Sequence, residues 1–306
     1  MKAIRYLGPG HIEVADVDRP KPKADEVLVE TRAASICNQM DVRTYNGIQT
    51  SYPLDPGEPG REAAGVIAEV GGNVKKFKIG DPVVMLADHL YAEYSVRRPE
   101  ELVPLRAGTS LVEAAPLGLA GCVLAAVKKV SSMRGRSVVV TGLGPAGLFM
   151  VQVARNAGAK EIIALDIKSN HFELARSLGA TTSAFANNRE VIKRCRQTPA
   201  DFGVDCSGSP QAVTQLYSMC TNVIAFGTVQ ETVKIDIPMR RSVLLVNGYL
   251  TPEERREGLD AAVKLFQRKK LLTRPLISQT MLLEEYALAM QKVRRGEVLK
   301  LVLTRS

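Results

Sequence analysis

Tryptophan is absent from this 306-residue chain, histidine occurs three times, and aromatic residues make up only 5% of the sequence. That scarcity argues against a surface that stacks nucleic-acid bases, although the net charge is +9 and the pI about 9.3. The basic residues form neither a tail nor a long run; they come in pairs such as Lys128-Lys129, Arg240-Arg241, Arg255-Arg256 and Lys269-Lys270. Solvated helix faces account for them, so no nucleic-acid partner is expected. Cysteine is sparse as well: Cys37, Cys122, Cys195, Cys206 and Cys220 are odd in number and unpaired in spacing, which points to reduced thiols. No apolar run is expected to reach the roughly 18 residues of a membrane span, and MKAIRYLGPG lacks a long apolar signal region. The expectation is a cytoplasmic protein without a membrane partner.

What is present is a complete strand, glycine turn, helix and second strand over residues 138–167. Val138 to Val140 suit a strand buried on both faces, and Gly142, Gly144 and Gly147 follow in G-x-G-x-x-G spacing. Gly142 permits the tight turn, Gly144 lets a pyrophosphate approach the backbone, and Gly147 lets the helix pack close to the strand. The helix N-terminus then faces the negative charge. Leu148 to Ala157 is apolar at helical spacing, Gly158 reads as its C-cap, and Glu161 to Leu165 returns as a strand ending in Asp166. An acid there accepts hydrogen bonds from ribose hydroxyls and repels a 2'-phosphate, which favours NAD over NADP, with Lys168 and His171 softening the exclusion. The expected cofactor contacts are Gly142, Leu143, Gly144, Pro145, Ala146, Gly147, Asp166, Ile167 and His171, joined by Cys206 and Ser207 at the end of a later strand.

The 45% hydrophobic content and the length suit two domains. The first hundred or so residues are β-rich: MKAIRYL, GHIEVADV and EVLVETRAASI read as strands separated by Gly and Pro turns. LVEAAPLGLAGCVLAAVKKV reads as one long apolar helix, and from Ser137 strands and helices alternate, which means a doubly wound parallel α/β sheet. A final helix and the strand LKLVLTR close the first domain. The expected division is 1–115 with 249–306 around an inserted 116–248, leaving a cleft where substrate meets the nicotinamide.

TRAASICNQMDVRTYNG, PGREAAGVIAEVGGNVKKFKIGDPV, LYAEYSV, TGLGPAG, DCSGSP and RRGEVLKLVL, in that order, resemble the medium-chain dehydrogenase/reductase superfamily of zinc alcohol dehydrogenases and zinc-free quinone reductases. The resemblance spans essentially the whole chain. It implies a GroES-like catalytic domain split around a Rossmann domain, hydride transfer at the nicotinamide C4, and a homodimer or homotetramer through the Rossmann edge strand 242–247.

Zinc members of that family hold a catalytic metal with a cysteine, the histidine of G-H-E and a third ligand. Cys37 stands where the first ligand does, but CNQMD has one residue more than usual before Asp41. At the G-H-E position the sequence is Gly60-Arg61-Glu62, and a guanidinium cannot ligate. Gly118 or Leu119 occupies the third position, and the lobe carrying a structural zinc is missing. The expectation is no metal; a remodelled site from Cys37, Glu62 and His89 is the chemical alternative. Without zinc, Arg61 is the candidate to stabilise a substrate oxyanion, the competing reading being an ion pair with Glu62 or Asp41. Tyr45, Tyr91 or Tyr94 could donate protons, although each reads first as a packing aromatic with a satisfied hydroxyl.

The candidate catalytic residues are therefore Cys37, Asp41, Arg61 and Glu62. The leading reading is an NAD-dependent, zinc-independent oxidoreductase for an alcohol, polyol or carbonyl substrate. A quinone or enoyl reductase of the same superfamily is one alternative, and a cofactor-binding or redox-sensing protein without catalysis is another.

Overall fold

The computed structural model describes residues 1–48, 50–229, 233, 244–247 and 250–305, with the backbone alone for 244–247. The chain opens with β1 (Lys2–Gly8), β2 (His11–Asp16), β3 (Val27–Ser35), helix α1 (Met40–Tyr45), β4 (Glu62–Val70), β5 (Pro82–Leu86), β6 (Tyr94–Arg97) and β7 (Leu102–Pro104). Helices α2 (Leu111–Ala114) and α3 (Leu117–Lys128) follow, then β8 (Ser137–Thr141), α4 (Pro145–Asn156), β9 (Glu161–Asp166), α5 (Phe172–Leu178) and β10 (Thr182–Phe185). Next come α6 (Arg189–Gln197), β11 (Ala200–Asp205), α7 (Pro210–Met219), β12 (Cys220–Ala225) and β13 (Leu244–Asn247). The chain ends with α8 (Pro252–Gln267), β14 (Ile277–Leu282), α9 (Tyr286–Arg295) and β15 (Lys300–Thr304).

Two compact units result: Met1–Gly121 with Leu259–Arg268 and Leu272–Ser306, and Cys122–Gly258 with Lys269–Leu271. In the first, the strand order is β14-β15-β3-β4-β5-β7, with β6 also on β3. β3 is the keystone, since it pairs antiparallel with β15, β4 and β6. Its residues are accordingly buried at seven of nine positions instead of alternating between buried and exposed. Ile4, Tyr6, Val29, Ile36, Met85, Tyr91, Tyr286 and Leu301 pack together as the core of this unit.

The second unit is a six-stranded parallel sheet in the order β10-β9-β8-β11-β12-β13. This is the doubly wound Rossmann order, whose switch point falls between β8 and β11. β8 is buried at every position, as its Ser-Val-Val-Val-Thr sequence requires between two parallel neighbours. Ser209 and Asn188 start α7 and α6 by accepting the N–H groups of Ala212 and Val191.

Three features depart from the sequence reading. The long apolar helix is two, because Pro116 follows α2 and its ring cannot continue the ladder. The stretch Leu111–Lys128 does reach 18 residues at a mean hydropathy of 1.6, enough by length and composition to cross a membrane. In the fold Ala114, Leu117, Ala120, Val123 and Ala126 are instead fully buried in protein. Helix α6, with its basic REVIKRCRQ sequence, is the third: only Cys195 on it is buried, so its apolar stripe is too thin to stand out in the sequence.

Candidate functional site

In the Rossmann unit the glycine turn is built as the spacing demands. Gly142 sits at φ +84°, and a Cβ there would lie 2.8 Å from the Ser207 nitrogen. A Cβ on Gly147 would come within 1.8 Å of the Gly142 carbonyl oxygen, so only glycine lets α4 start this close to β8. A Cβ on Gly144 would meet nothing within 4 Å, which leaves its face open for a ligand. Gly144 is the N-cap of α4 and Pro145 its first residue, a preorganised N-terminus with Ala146 and Gly147 in its first turn. The turn is tied to the acid that ends β9: Leu143 N–H donates to Asp166 Oδ2 at 2.6 Å, and Lys168 N–H donates to Oδ1 at 2.9 Å.

Ile167 is 81% exposed beside a cavity of about 400 Å³ lined by Ile167, Phe185, Ala186, Asn187, Ile192 and Gln215. An exposed isoleucine next to an acid that can hold a ribose is what a flat, apolar base would cover. His171 stands at the N-cap of α5, with no hydrogen bond to Asp166 among the described residues. At the end of β11, Cys206 N–H donates to the Thr141 carbonyl, and burial pushes its thiol well above the usual range. Ser207 donates through both N–H and Oγ to Asp205 Oδ1, Thr141 Oγ1 donates to the same oxygen, and Gly208 N–H donates to Oδ2. Buried Asp205 is thus consumed in shaping the loop beside the glycine turn.

The first unit gathers Cys37, Asp41 and Glu62, which the sequence separates, because β3 and β4 are paired through Ser35 and Glu62. Cys37 N–H donates to Asp41 Oδ2 at 2.9 Å, and the Tyr91 hydroxyl donates to the same oxygen. Asp41 Oδ1 has no partner among the described residues although the side chain is fully buried. Burial pushes the Asp41 carboxyl up to about 7, against the downward pull of the bonds from Tyr91 and Cys37. The Cys37 thiol is likewise raised, to about 11, by burial and then by the charges of Asp41 and Glu62, with Lys300 opposing.

Glu62 is held on both oxygens. Lys300 Nζ lies 3.5 Å from Oε1, and Leu119 N–H donates to Oε2 at 3.3 Å. Burial raises its carboxyl, and the Lys300 charge is the chief influence pulling the other way. Arg61 departs from this cluster: it is exposed and pairs with Asp88 at 3.4 Å, not with Glu62 or Asp41. His89 sits with Nδ1 3.3 Å from the Pro56 carbonyl and Nε2 3.9 Å from Glu58. Sequence reasoning passed over Lys300; its signal was a single cation inside the apolar strand LKLVL.

A metal needs converging donors, and the residues as placed do not fit zinc. Glu62 is occupied by an ammonium and an N–H, His89 is turned to Pro56 and Glu58, and Gly118 has no side chain to offer. A Cβ on Gly118 would sit 2.8 Å from Glu62 Cγ, so a ligand there has no room. Among the described residues no three His, Cys, Asp or Glu side chains form a metal-holding group.

Comparison with known families agrees with this architecture. Residues 23–127 match the alcohol dehydrogenase GroES-like domain, and residues 145–254 match the zinc-binding dehydrogenase family, together more than half of the chain. The chain belongs to the medium-chain dehydrogenase/reductase superfamily. It is similar to sorbitol dehydrogenase of Halalkalibacterium halodurans, 25% identical over 344 aligned positions covering 99% of each chain. L-threonine 3-dehydrogenase of Pyrococcus horikoshii is 28% identical over 349 positions, covering 99% of this chain and 98% of its own. Both alignments are longer than the 306 residues here, so these superfamily relatives carry segments this member lacks. In fold it matches galactitol-1-phosphate dehydrogenase of Escherichia coli with a TM-score of 0.89, at 21% identity over 99% of this chain and 100% of that one. This superfamily member is an alcohol dehydrogenase-like oxidoreductase, and solved structures of the same fold hold NADP or NADH.

Proposed function

We propose that the protein transfers hydride between NAD(H) and an alcohol, polyol or carbonyl substrate, and does so without catalytic zinc. The observation that carries the reading is an asymmetry: the cofactor-binding turn is complete and bonded to Asp166, while the cluster around Cys37 and Glu62 offers no open ligand set. Asp166 supports NAD as the preferred form, because a 2'-phosphate would meet a carboxylate anchored by two backbone N–H groups. The small-molecule substrate class follows the sorbitol and threonine dehydrogenases to which the chain is similar.

In this reading Arg61 supplies positive charge to the substrate oxygen. Its one ion-pair partner among the described residues, Asp88, is itself exposed, so a substrate oxyanion can compete for the guanidinium. Asp41 and Cys37 shape the buried floor beneath the α1 turn. The test is turnover of a panel of alcohols, polyols, aldehydes and quinones with NAD and NADP, before and after chelation. Activity abolished by chelator and restored by zinc would sink the zinc-free reading. Cofactor binding without any turnover would sink the enzymatic one.

We also propose a homo-oligomer through the segment 242–247, of which residues 242 and 243 lie outside the described residues. β13 (Leu244–Asn247) is the outermost strand of the described sheet, an edge that another copy can extend. Sedimentation showing only a 33 kDa species would refute this.

A further inference from the structure

The parallel strands of the second unit all begin along one edge of its sheet, opposite the end of β8 that carries the glycine turn. At that starting edge five cations converge. Arg134 and Lys160 lie just before β8 and β9, and their loops are joined by two backbone bonds. Gly135 N–H donates to the Gly158 carbonyl at 2.8 Å, and Lys160 N–H donates to the Arg136 carbonyl at 2.9 Å. Arg155 stands in the last turn of α4. Its neighbour Asn156 donates through Nδ2 to the Lys270 carbonyl at 2.7 Å, which brings the Lys269-Lys270 pair to the same corner.

All five side chains are exposed, and none has a carboxylate partner among the described residues. Two acids of this edge are already taken: Asp201 pairs with Arg136 at 2.9 Å, and Glu161 with Arg194 at 2.9 Å. The α4 dipole accounts for Arg155, but not for Arg134 and Lys160, which precede strands. A denser basic run in the sequence, NVKKFK, behaves differently. Lys75 donates to the Gly72 carbonyl, Lys76 lies over the Phe77 ring and Lys78 pairs with Asp81. The five cations of the sheet edge repel one another, and an anionic partner relieves that repulsion.

None of the five is aromatic, so the patch cannot stack bases, and three are lysines, point charges without the planar fork that reads a single phosphate. Such a composition suits a diffuse layer of negative charge. We propose that this edge is a peripheral docking surface for an anionic phospholipid bilayer. The contact needs no spanning segment, and it departs from the sequence expectation of no membrane partner. It is independent of the hydride-transfer reading.

The test is sedimentation of the full-length protein with vesicles of phosphatidylcholine alone and of phosphatidylcholine mixed with phosphatidylglycerol. Binding is expected only to the mixed vesicles and is expected to vanish in high salt. Lys160→Gln/Lys269→Gln/Lys270→Gln should lower the partition coefficient roughly 100-fold, at about fivefold per charge, with the melting temperature unchanged. Lys75→Gln/Lys76→Gln/Lys78→Gln removes as much charge from the first unit and should lower it far less. Equal losses in the two variants would mean that net charge alone drives binding, and would overturn the proposal. So would equal binding to both vesicle types, or binding to neither. Should the first variant not fold, Arg134→Gln/Arg155→Gln is expected to lose roughly 25-fold, and unchanged binding there would count equally against the proposal. A duplex oligonucleotide or polyglutamate that displaces the protein from mixed vesicles at matched charge concentration would assign the edge to that partner and overturn the membrane reading.

Discussion

Leu143, inside the glycine turn, donates its backbone N–H to the Asp166 carboxylate at 2.6 Å, so the turn proposed to bind phosphate and the acid proposed to bind ribose are one hydrogen-bonded unit. Replacing Asp166 by Ala therefore removes both a ribose acceptor and a brace of the turn. NAD affinity is expected to fall roughly tenfold or more, as for loss of a hydrogen bond to a charged group. NADP affinity is expected to fall less or to rise. Fluorescence titration with NADH and NADPH measures both, and a parallel drop for the two would remove Asp166 as the discriminator.

The three turn glycines are expected to separate cleanly by substitution. Gly147→Ala places a Cβ on the Gly142 carbonyl and is expected to cost about 2 kcal/mol or more of stability. Gly144→Ala meets no protein atom within 4 Å, so the melting temperature should hold while cofactor binding is lost. Loss of stability in Gly144→Ala with binding retained would mean that its open face is not the phosphate face.

Asp41 sets a pH dependence of opposite sign to that of a surface carboxylate. Its folded value of about 7 lies above the unfolded 3.8, so the folded state binds the extra proton. That contribution to stability is complete below about pH 4 and is lost as pH rises through 7. Asp41→Asn removes the proton uptake, so the variant should gain on the wild type steadily between pH 4 and pH 8. Denaturant unfolding at several pH values tests this, and a constant difference would show that Asp41 does not titrate in that window.

Arg61→Gln keeps a polar side chain and removes the charge. If Arg61 serves the substrate oxygen, kcat/KM should fall roughly 100-fold or more while NADH affinity is unchanged. Because Arg61 is exposed and its pair with Asp88 lies at the surface, the melting temperature should barely move. Retained turnover would leave Arg61 as the surface partner of Asp88.

The parts legible in the sequence are those whose physics is local. The Val138–Val140 strand, the glycine spacing and the acid ending β9 each obey steric or periodic rules within a few residues, and the parallel sheet follows from their alternation. Pro116 breaks the long apolar helix by an equally local rule, but the apolar run on either side masks it. Helix α6 is obscured because its basic surface outweighs the stripe around Cys195.

The buried cluster of the first unit is of the other kind. Cys37, Asp41 and Glu62 were nameable one by one, but no sequence period says that Tyr91 will cap Asp41, that Lys300 will reach Glu62 across the sheet, or that Arg61 will turn outward to Asp88. The sequence alone determined the glycine turn, since glycine stereochemistry and strand burial act between neighbours in the chain. Which buried charges meet was decided only by the tertiary structure, where β3 brings β4 and β15 together over separations of tens to hundreds of residues. Desolvation there makes every unpaired charge costly, so the partners are chosen by what the assembled sheet places within reach.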